Sequence, residues 1–144
     1  MSEEKRIYVI IPAQVQVPNS TYVHNGTVYL HLAKGLRWVQ QPAGRQVAQA
    51  CHVVSKLRLR HFASSEKPRI GFKPVTTVIL QARDSKEMGH VLALANKKRL
   101  EWETFSDENR EAYGDFKPIT ALALMASPKQ VKGILDYLPL WGSQ

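Results

Sequence analysis

Short runs of β-branched and apolar residues predict the strands of this chain. Residues 7–11 form a continuous run of this kind that ends at Pro12, which is typical of a buried strand. Residues 75–81 are rich in valine, threonine and isoleucine, and residues 119–125 form the last apolar run. Residues 100–105 alternate between apolar and polar positions, as a strand with one buried face does.

A β-hairpin is predicted within residues 13–43, a segment that lacks helical periodicity. Asn25-Gly26 lies there between Tyr22-Val23-His24 and the run at 27–30. Asparagine and glycine both tolerate a positive φ, and this dipeptide is the strongest short signal for a two-residue hairpin turn. The strands of the hairpin should therefore flank Asn25-Gly26 directly.

The first helix is predicted to open at Pro42-Ala43-Gly44 and to run to about Phe62, before a loop at 64–68. Val47, Cys51, Val54 and either Leu57 or Arg58 recur at helical spacing, so we expect them to face the core, with Cys51 as a small core residue. The opposite face is polar, and its residues are Arg45, Gln49, His52, Lys56 and Arg60.

Two further helices follow later strands. Asp84 or Ser85 can cap the first of them, and Ser127-Pro128 has the pattern of an N-cap followed by proline at the first helical position. The last helix is predicted to run to about Leu138. This alternation of strands and helices, in a chain of 144 residues, favours a single α/β domain over residues 1–144 with a mixed sheet covered by helices.

Charge is distributed unevenly along the chain. The formal net charge is +8, yet no acidic residue lies between Glu4 and Glu66, a stretch that carries eight lysines and arginines. Six of the twelve acidic residues fall between Glu101 and Asp115. A long basic segment without acids is the electrostatic pattern expected of a protein that binds a polyanion such as nucleic acid. A solvated basic face without a partner is the alternative.

Several classes of protein are disfavoured by what the sequence lacks. No apolar run approaches a membrane span, and the first residues do not form a signal peptide, so we expect a cytoplasmic protein without a membrane partner. The single cysteine excludes an internal disulfide. No metal-binding pattern, nucleotide-binding loop or flavin motif is present, so we expect no metal and no cofactor.

Two segments carry a resemblance to a known family. Residues 44–53 contain Gly44, Ala48, Gln49 and His52 at the spacing found at the start of the first helix in the second type of peptidyl-tRNA hydrolase, the type of archaea and eukaryotes. Arg45 stands where that family has lysine. The resemblance spans residues 5–12 and 44–140, so that residues 13–43, with the hairpin, form an insertion.

The second segment resembles the family in a strand and the residues that follow it. Residues 100–107 match a strand that ends in aspartate, here Asp107, and residues 120–123 match the family's Thr-x-Leu-Ala strand. The loop between them differs from the family, since it reads Asp-Glu-Asn-Arg-Glu from Asp107 and is a few residues longer. Asp115 is a competing acid in the same loop.

The resemblance implies an enzyme that hydrolyses the ester between a peptide, or an N-blocked amino acid, and tRNA. In that interpretation Arg45 meets phosphate or developing negative charge, Gln49 positions the substrate and Asp107 activates water. Thr120 completes the catalytic set, and the substrate-binding residues are Gly44, His52, Lys56 and Arg60. The resemblance also implies a four-stranded mixed sheet with helices on both faces, and a homodimer.

Two other interpretations stay open at this point. The same fold can serve as an RNA-binding module without turnover, which the basic span and the arginine at position 45 favour. Alternatively, the inserted hairpin can add a strand to a partner protein. Trp38, in the insertion, is either a core residue or an RNA contact, and His52 is either a packed surface residue or part of the site.

Overall fold

The computed structural model describes residues 4–63 and 75–143, so the loop predicted at 64–68 lies outside the described residues. The strands are β1 (Arg6–Pro12), β2 (Gln14–Pro18), β3 (Thr21–His24), β4 (Thr27–Leu30), β5 (Leu36–Gln40), β6 (Thr77–Ala82), β7 (Glu101–Ser106) and β8 (Ile119–Ala126), and the helices are α1 (Ala43–Ala63), α2 (Ser85–Lys97), α3 (Arg110–Tyr113) and α4 (Pro128–Val131). In the described part of the chain, no helix is long and apolar enough to cross a membrane.

A mixed four-stranded sheet forms the centre of the molecule, in the order β6-β1-β8-β7. Strand β1 runs parallel to β6 and antiparallel to β8, which in turn pairs antiparallel with the edge strand β7. The α/β fold class and the four-stranded sheet flanked by helices are thereby confirmed.

Alternate residues of the central strands supply two separate cores. Ile7, Val9 and Ile11 lie with the buried face of α1, whereas Tyr8 and Ile10 lie with α2 and the C-terminal segment. Because both faces of β1 are covered, its sequence is continuously apolar instead of alternating. This is the physical reason that the first strand could be located from sequence.

The buried face of α1 differs from the prediction. Val47 is 48% exposed and Cys51 is exposed, so neither is a core residue. Leu57 is buried and Val54 packs against the same core, as predicted, and Ala50 and Val53 complete this face. The prediction was wrong for Val47 and Cys51 because it followed apolar spacing alone, whereas the first turns of α1 bury glutamine side chains towards the interior.

The insertion after β1 contains the predicted hairpin and a second pair of strands. Strands β3 and β4 pair around Asn25 and Gly26, which have φ values of 51° and 78°, as a tight turn requires. A second ladder, between β2 and β5, carries this hairpin outward from the domain. Val15 and Val17 anchor the ladder in a small core with Tyr113.

The C-terminal segment starts as predicted but does not continue as a helix. Ser127 caps α4 in a capping box with Gln130, yet the α-helix ends at Val131. Gly133 then takes a φ of 86°, a conformation that favours glycine and cannot continue a right-handed helix. The predicted helix to Leu138 is therefore wrong, although Leu138 itself is buried.

Candidate active site

Tyr113 marks the point where two of the predicted site residues come together. It ends the short helix α3, whose N-cap Asn109 accepts a hydrogen bond from the backbone N–H of Ala112. The Tyr113 ring is 2% exposed and packs against Val15 and Val17 of the insertion. Its hydroxyl oxygen is buried and has no hydrogen-bond partner at ordinary distance and angle among the described residues, although Arg45 and Asp107 lie near enough to influence its pKa. A buried polar group without a partner is rare and costs folding free energy, so this one calls for a functional explanation.

Arg45 and Asp107 both act on the Tyr113 hydroxyl. The guanidinium carbon of Arg45, in the first turn of α1, lies 6.0 Å from the centre of the Tyr113 ring. The pKa of Tyr113 is raised above its ordinary value, chiefly by burial; the negative charge of Asp107 adds to the rise, and Arg45 opposes it. The phenol is therefore neutral at physiological pH, and its O–H can donate a hydrogen bond.

Asp107 is positioned by the end of strand β7. The ladder between β7 and β8 shifts register between Phe105 and Ser106, and the Asp107 backbone N–H donates to the carbonyl of Pro118 at 3.0 Å. The competing acid, Asp115, accepts a hydrogen bond from Arg110 at 2.8 Å on the surface of the same loop. Asp107 is thus the acid that acts on Tyr113.

Gln49 lies one helical turn after Arg45, on the same side of α1. Its side chain is 3% exposed, and Oε1 has no hydrogen-bond partner among the residues described. Its neighbour Gln46 has both ends of its amide bonded, since Nε2 donates to the carbonyl of Gln41 and Oε1 accepts from the indole N–H of Trp141. The Oε1 of Gln49 is therefore an unpaired acceptor, whereas the Oε1 of Gln46 is already hydrogen-bonded.

Thr120 is fully buried in strand β8. Its hydroxyl donates to the carbonyl of Phe105 at 3.3 Å, two residues before Asp107. This contact ties β8 to the end of β7 at its register shift. Thr120 is consequently placed to position the strand that carries Asp107, and not to touch a substrate.

His52 and Gly44 are exposed residues of α1. The imidazole of His52 stacks on the ring of Phe105, with centroids 4.8 Å apart and an interplanar angle of 19°. Gly44 has an ordinary negative φ, and a Cβ added there would meet no atom within 4 Å. No local steric need therefore requires glycine at position 44.

Lys56 and Arg60 lie against the edge strand β7. Lys56 Nζ donates to the carbonyl of Thr104 at 2.9 Å, and Arg60 donates to the carbonyl of Trp102 at 2.8 Å. Both cations also lie 3.4 Å from the carboxylate of Glu103. These contacts cover carbonyl groups that an edge strand would otherwise leave open. The two cations have a structural role that the sequence did not suggest.

A separate cavity of about 370 Å³ lies on the opposite face of the sheet. Its walls include Met88, Gly89 and Leu92 of α2 together with Phe116 and Pro118 of the loop before β8. Neither Arg45 nor Asp107 lines it. Over the described ranges, no group of three histidine, cysteine, aspartate or glutamate residues could hold a metal ion.

Comparison with known proteins shows a shared fold and no family. No family model and no curated protein matches the sequence. Among solved structures, a protein of unknown function from Agrobacterium tumefaciens is similar over 97% of this chain and 98% of its own, with a TM-score of 0.57 and 11% sequence identity. At that identity the likeness shows that the fold is shared.

Of the residues predicted for the site, Arg45 and Asp107 converge, and Gln49 lies one turn along the same helix. Tyr113 was missed. Residues 106–117 were predicted to be a polar loop, whereas they contain α3 and bury the tyrosine ring. An aromatic residue four positions after a capping asparagine fits an N-cap followed by one buried turn, and this was the available signal.

Proposed function

We propose that this protein hydrolyses the ester bond between a peptide, or an N-blocked amino acid, and tRNA. The observation that carries the proposal is the buried Tyr113 side chain, which has the Arg45 guanidinium over its ring and the charge of Asp107 near its hydroxyl. Ester hydrolysis needs a group that takes a proton from water and donors for the oxyanion. A carboxylate beside a neutral phenol and a guanidinium supplies both.

In the proposed reaction, Asp107 accepts a proton from a water molecule as the water oxygen bonds to the ester carbonyl carbon. Negative charge develops on the carbonyl oxygen, where the Arg45 guanidinium stabilises it together with the Tyr113 O–H, which is buried in the free protein and must become accessible when the substrate binds. The ester C–O bond then breaks, and the proton held by Asp107 passes to the leaving ribose oxygen. Gln49 lies one turn along α1 from Arg45 and would help to position the substrate.

The tRNA would be held by the basic part of the chain. Lys56 and Arg60 keep about half of their side chains in solvent while they contact β7, so each can also meet a phosphate. His52, stacked on Phe105, and the exposed first turn at Gly44 would border the same substrate. The proposal places the protein in the cytoplasm, where translation supplies this substrate, and includes a homodimer.

A second candidate is an RNA-binding module without turnover, and the geometry of Arg45 favours it. The guanidinium lies over the Tyr113 ring, with its carbon 6.0 Å from the ring centre. Arginine and lysine differ in shape and hydration, so an enzyme that depends on a compact ammonium would be impaired here. Both candidates predict RNA binding that weakens with salt, and only the first predicts turnover.

The deciding experiment follows peptide release from a tRNA that carries an N-blocked amino acid. Asp107→Asn should lower turnover by about 10²- to 10⁴-fold, and Arg45→Ala by about 10²- to 10³-fold. Asp115→Asn is the matched control, because it changes an acid of the same loop that pairs with Arg110. A wild-type rate in Asp107→Asn would contradict the proposed chemistry. A wild-type protein that binds tRNA without releasing peptide would support the second candidate, the RNA-binding module.

A further inference from the structure

The outer hairpin of the insertion, β3 and β4, exposes both of its faces. Tyr22 and Tyr29 are cross-strand partners on one face, and they are 45% and 42% exposed. Val23 and Val28 are partners on the opposite face and are 57% and 39% exposed. A two-stranded hairpin on its own is marginally stable in water, so such exposure of large side chains indicates a surface that binds something.

The aromatic face is organised into a stack of three rings. The Tyr22 ring lies 5.2 Å from that of Tyr29, with an interplanar angle of 17°, and 4.6 Å from the imidazole of His31, with an angle of 28°. The His31 ring is held in turn by the hydroxyl of Ser20, 3.0 Å from Nδ1. Rings fixed in parallel, with much of their surface in solvent, form a platform on which a further flat ring can stack.

Charge decides which flat partner fits this platform. Residues 13–43 contain no aspartate or glutamate, whereas Lys34 lies at the base of the hairpin and Arg37 follows in β5. A polyanion is attracted to such a segment, and proteins bind unpaired nucleic acid through aromatic stacking beside basic residues. The valine face, by contrast, has the chemistry expected of a protein partner.

We propose that the Tyr22–Tyr29–His31 face binds unpaired nucleotides of RNA by base stacking. The inference rests on the proposed function for the choice of RNA as the polyanion, and it does not require ester hydrolysis. It assigns to the insertion a contact outside the Tyr113 site, with single-stranded segments of the RNA as its ligand. Duplex segments, whose bases are already stacked on each other, would not engage the rings.

The test measures fluorescence anisotropy with a labelled, unstructured RNA of about 12 nucleotides, and with a duplex of the same length. Tyr22→Ala/Tyr29→Ala should weaken single-strand binding by about ten- to a hundred-fold and leave duplex binding unchanged. Val23→Ala/Val28→Ala is the matched control on the opposite face of the same strands and should bind as the wild type does. Tyr22→Phe/Tyr29→Phe keeps the rings and should retain affinity.

Unchanged single-strand affinity in Tyr22→Ala/Tyr29→Ala would overturn the inference, and so would an equal loss in the valine variant, because the binding face would then be the other one or the whole hairpin. Peptide release from N-blocked aminoacyl-tRNA, measured on the same proteins, separates this inference from the proposed function. A wild type without turnover whose RNA binding still depends on the tyrosines supports the stacking face and removes only the hydrolase.

Discussion

The two ends of α1 treat their polar side chains in opposite ways. Near the start, Arg45 lies over a buried hydroxyl that has no hydrogen-bond partner in the described structure, and Gln49 keeps its own buried oxygen unpaired. Near the end, Lys56 and Arg60 each donate to a carbonyl of β7 and share the carboxylate of Glu103. The start of α1 thus has buried polar atoms that make no hydrogen bond with any described residue, whereas the two cations near its end, Lys56 and Arg60, both have partners.

This difference separates function from stability more clearly than residue type does. All four side chains are polar and all four were predicted to belong to the site. A paired group already stabilises the fold and gains less from a ligand, whereas an unpaired buried group costs folding free energy and can be satisfied by a ligand. The start of α1, with Tyr113 beside it, is therefore the better candidate for chemistry.

Within this comparison, the largest expected effect is that of Tyr113→Phe. Removal of the hydroxyl takes away the proposed donor for the oxyanion and should lower the rate of peptide release by about 10²- to 10³-fold. The same change removes an unpaired buried oxygen, so the free energy of unfolding should stay equal or rise by up to about 1 kcal/mol. Turnover assays test the expected loss of rate, and urea denaturation of the same protein tests the expected free energy of unfolding.

A Tyr113→Phe protein that unfolds more easily would show that the hydroxyl has a structural partner, and the comparison between the two ends of α1 would lose its basis. Tyr137→Phe serves as the control, because it removes a hydroxyl from a tyrosine that is 54% exposed in the C-terminal segment. It should leave both the rate and the unfolding free energy unchanged.

Local sequence signals were sufficient for the parts of the fold that depend on near neighbours. The Asn25-Gly26 turn and the capping box at Ser127 were predicted because each needs only a few adjacent residues. The uninterrupted run of apolar residues in β1 indicated that both faces of this strand are buried. The ladder between β2 and β5 was missed, since strands that pair across a whole hairpin leave no local signature.

The site was only partly predictable for a related reason. Arg45, Gln49 and Asp107 were predicted from a resemblance in spacing. The residues that surround them in space could not be predicted from the sequence. Tyr113 was missed because the absence of a hydrogen-bond partner is a property of packing between α3 and the insertion. The pairing of Lys56 with the edge of β7 was hidden in the same way, as it joins residues 48 positions apart.

A smaller effect distinguishes the two glutamines at the start of α1. Gln46→Met breaks two side-chain hydrogen bonds and leaves the Gln41 carbonyl and the Trp141 indole N–H without them, so it should destabilise the protein by about 1–3 kcal/mol. Gln49→Met removes an unpaired oxygen and should leave stability equal or slightly higher, while it raises KM for the tRNA ester. Chemical denaturation compares the two directly, and an equal loss in both would contradict the distinction.

The smallest effect concerns the paired end of α1 and appears only in acid. Burial by itself raises the pKa of Glu103, but the Thr104 N–H together with Lys56 and Arg60 outweighs it, and the net pKa lies below the ordinary value of 4.5. A lowered pKa means that the contribution of Glu103 to stability is present above that value and is lost as pH falls below it.

Glu103→Gln should therefore lower the free energy of unfolding by less than about 1 kcal/mol at pH 7, because both cations are largely exposed. It should also reduce the loss of stability on acidification, as measured by thermal unfolding from pH 7 to pH 3. The rate of peptide release at saturating tRNA ester should not change near neutral pH, since Glu103 contacts the two proposed tRNA-binding cations and is not part of the proposed catalytic set.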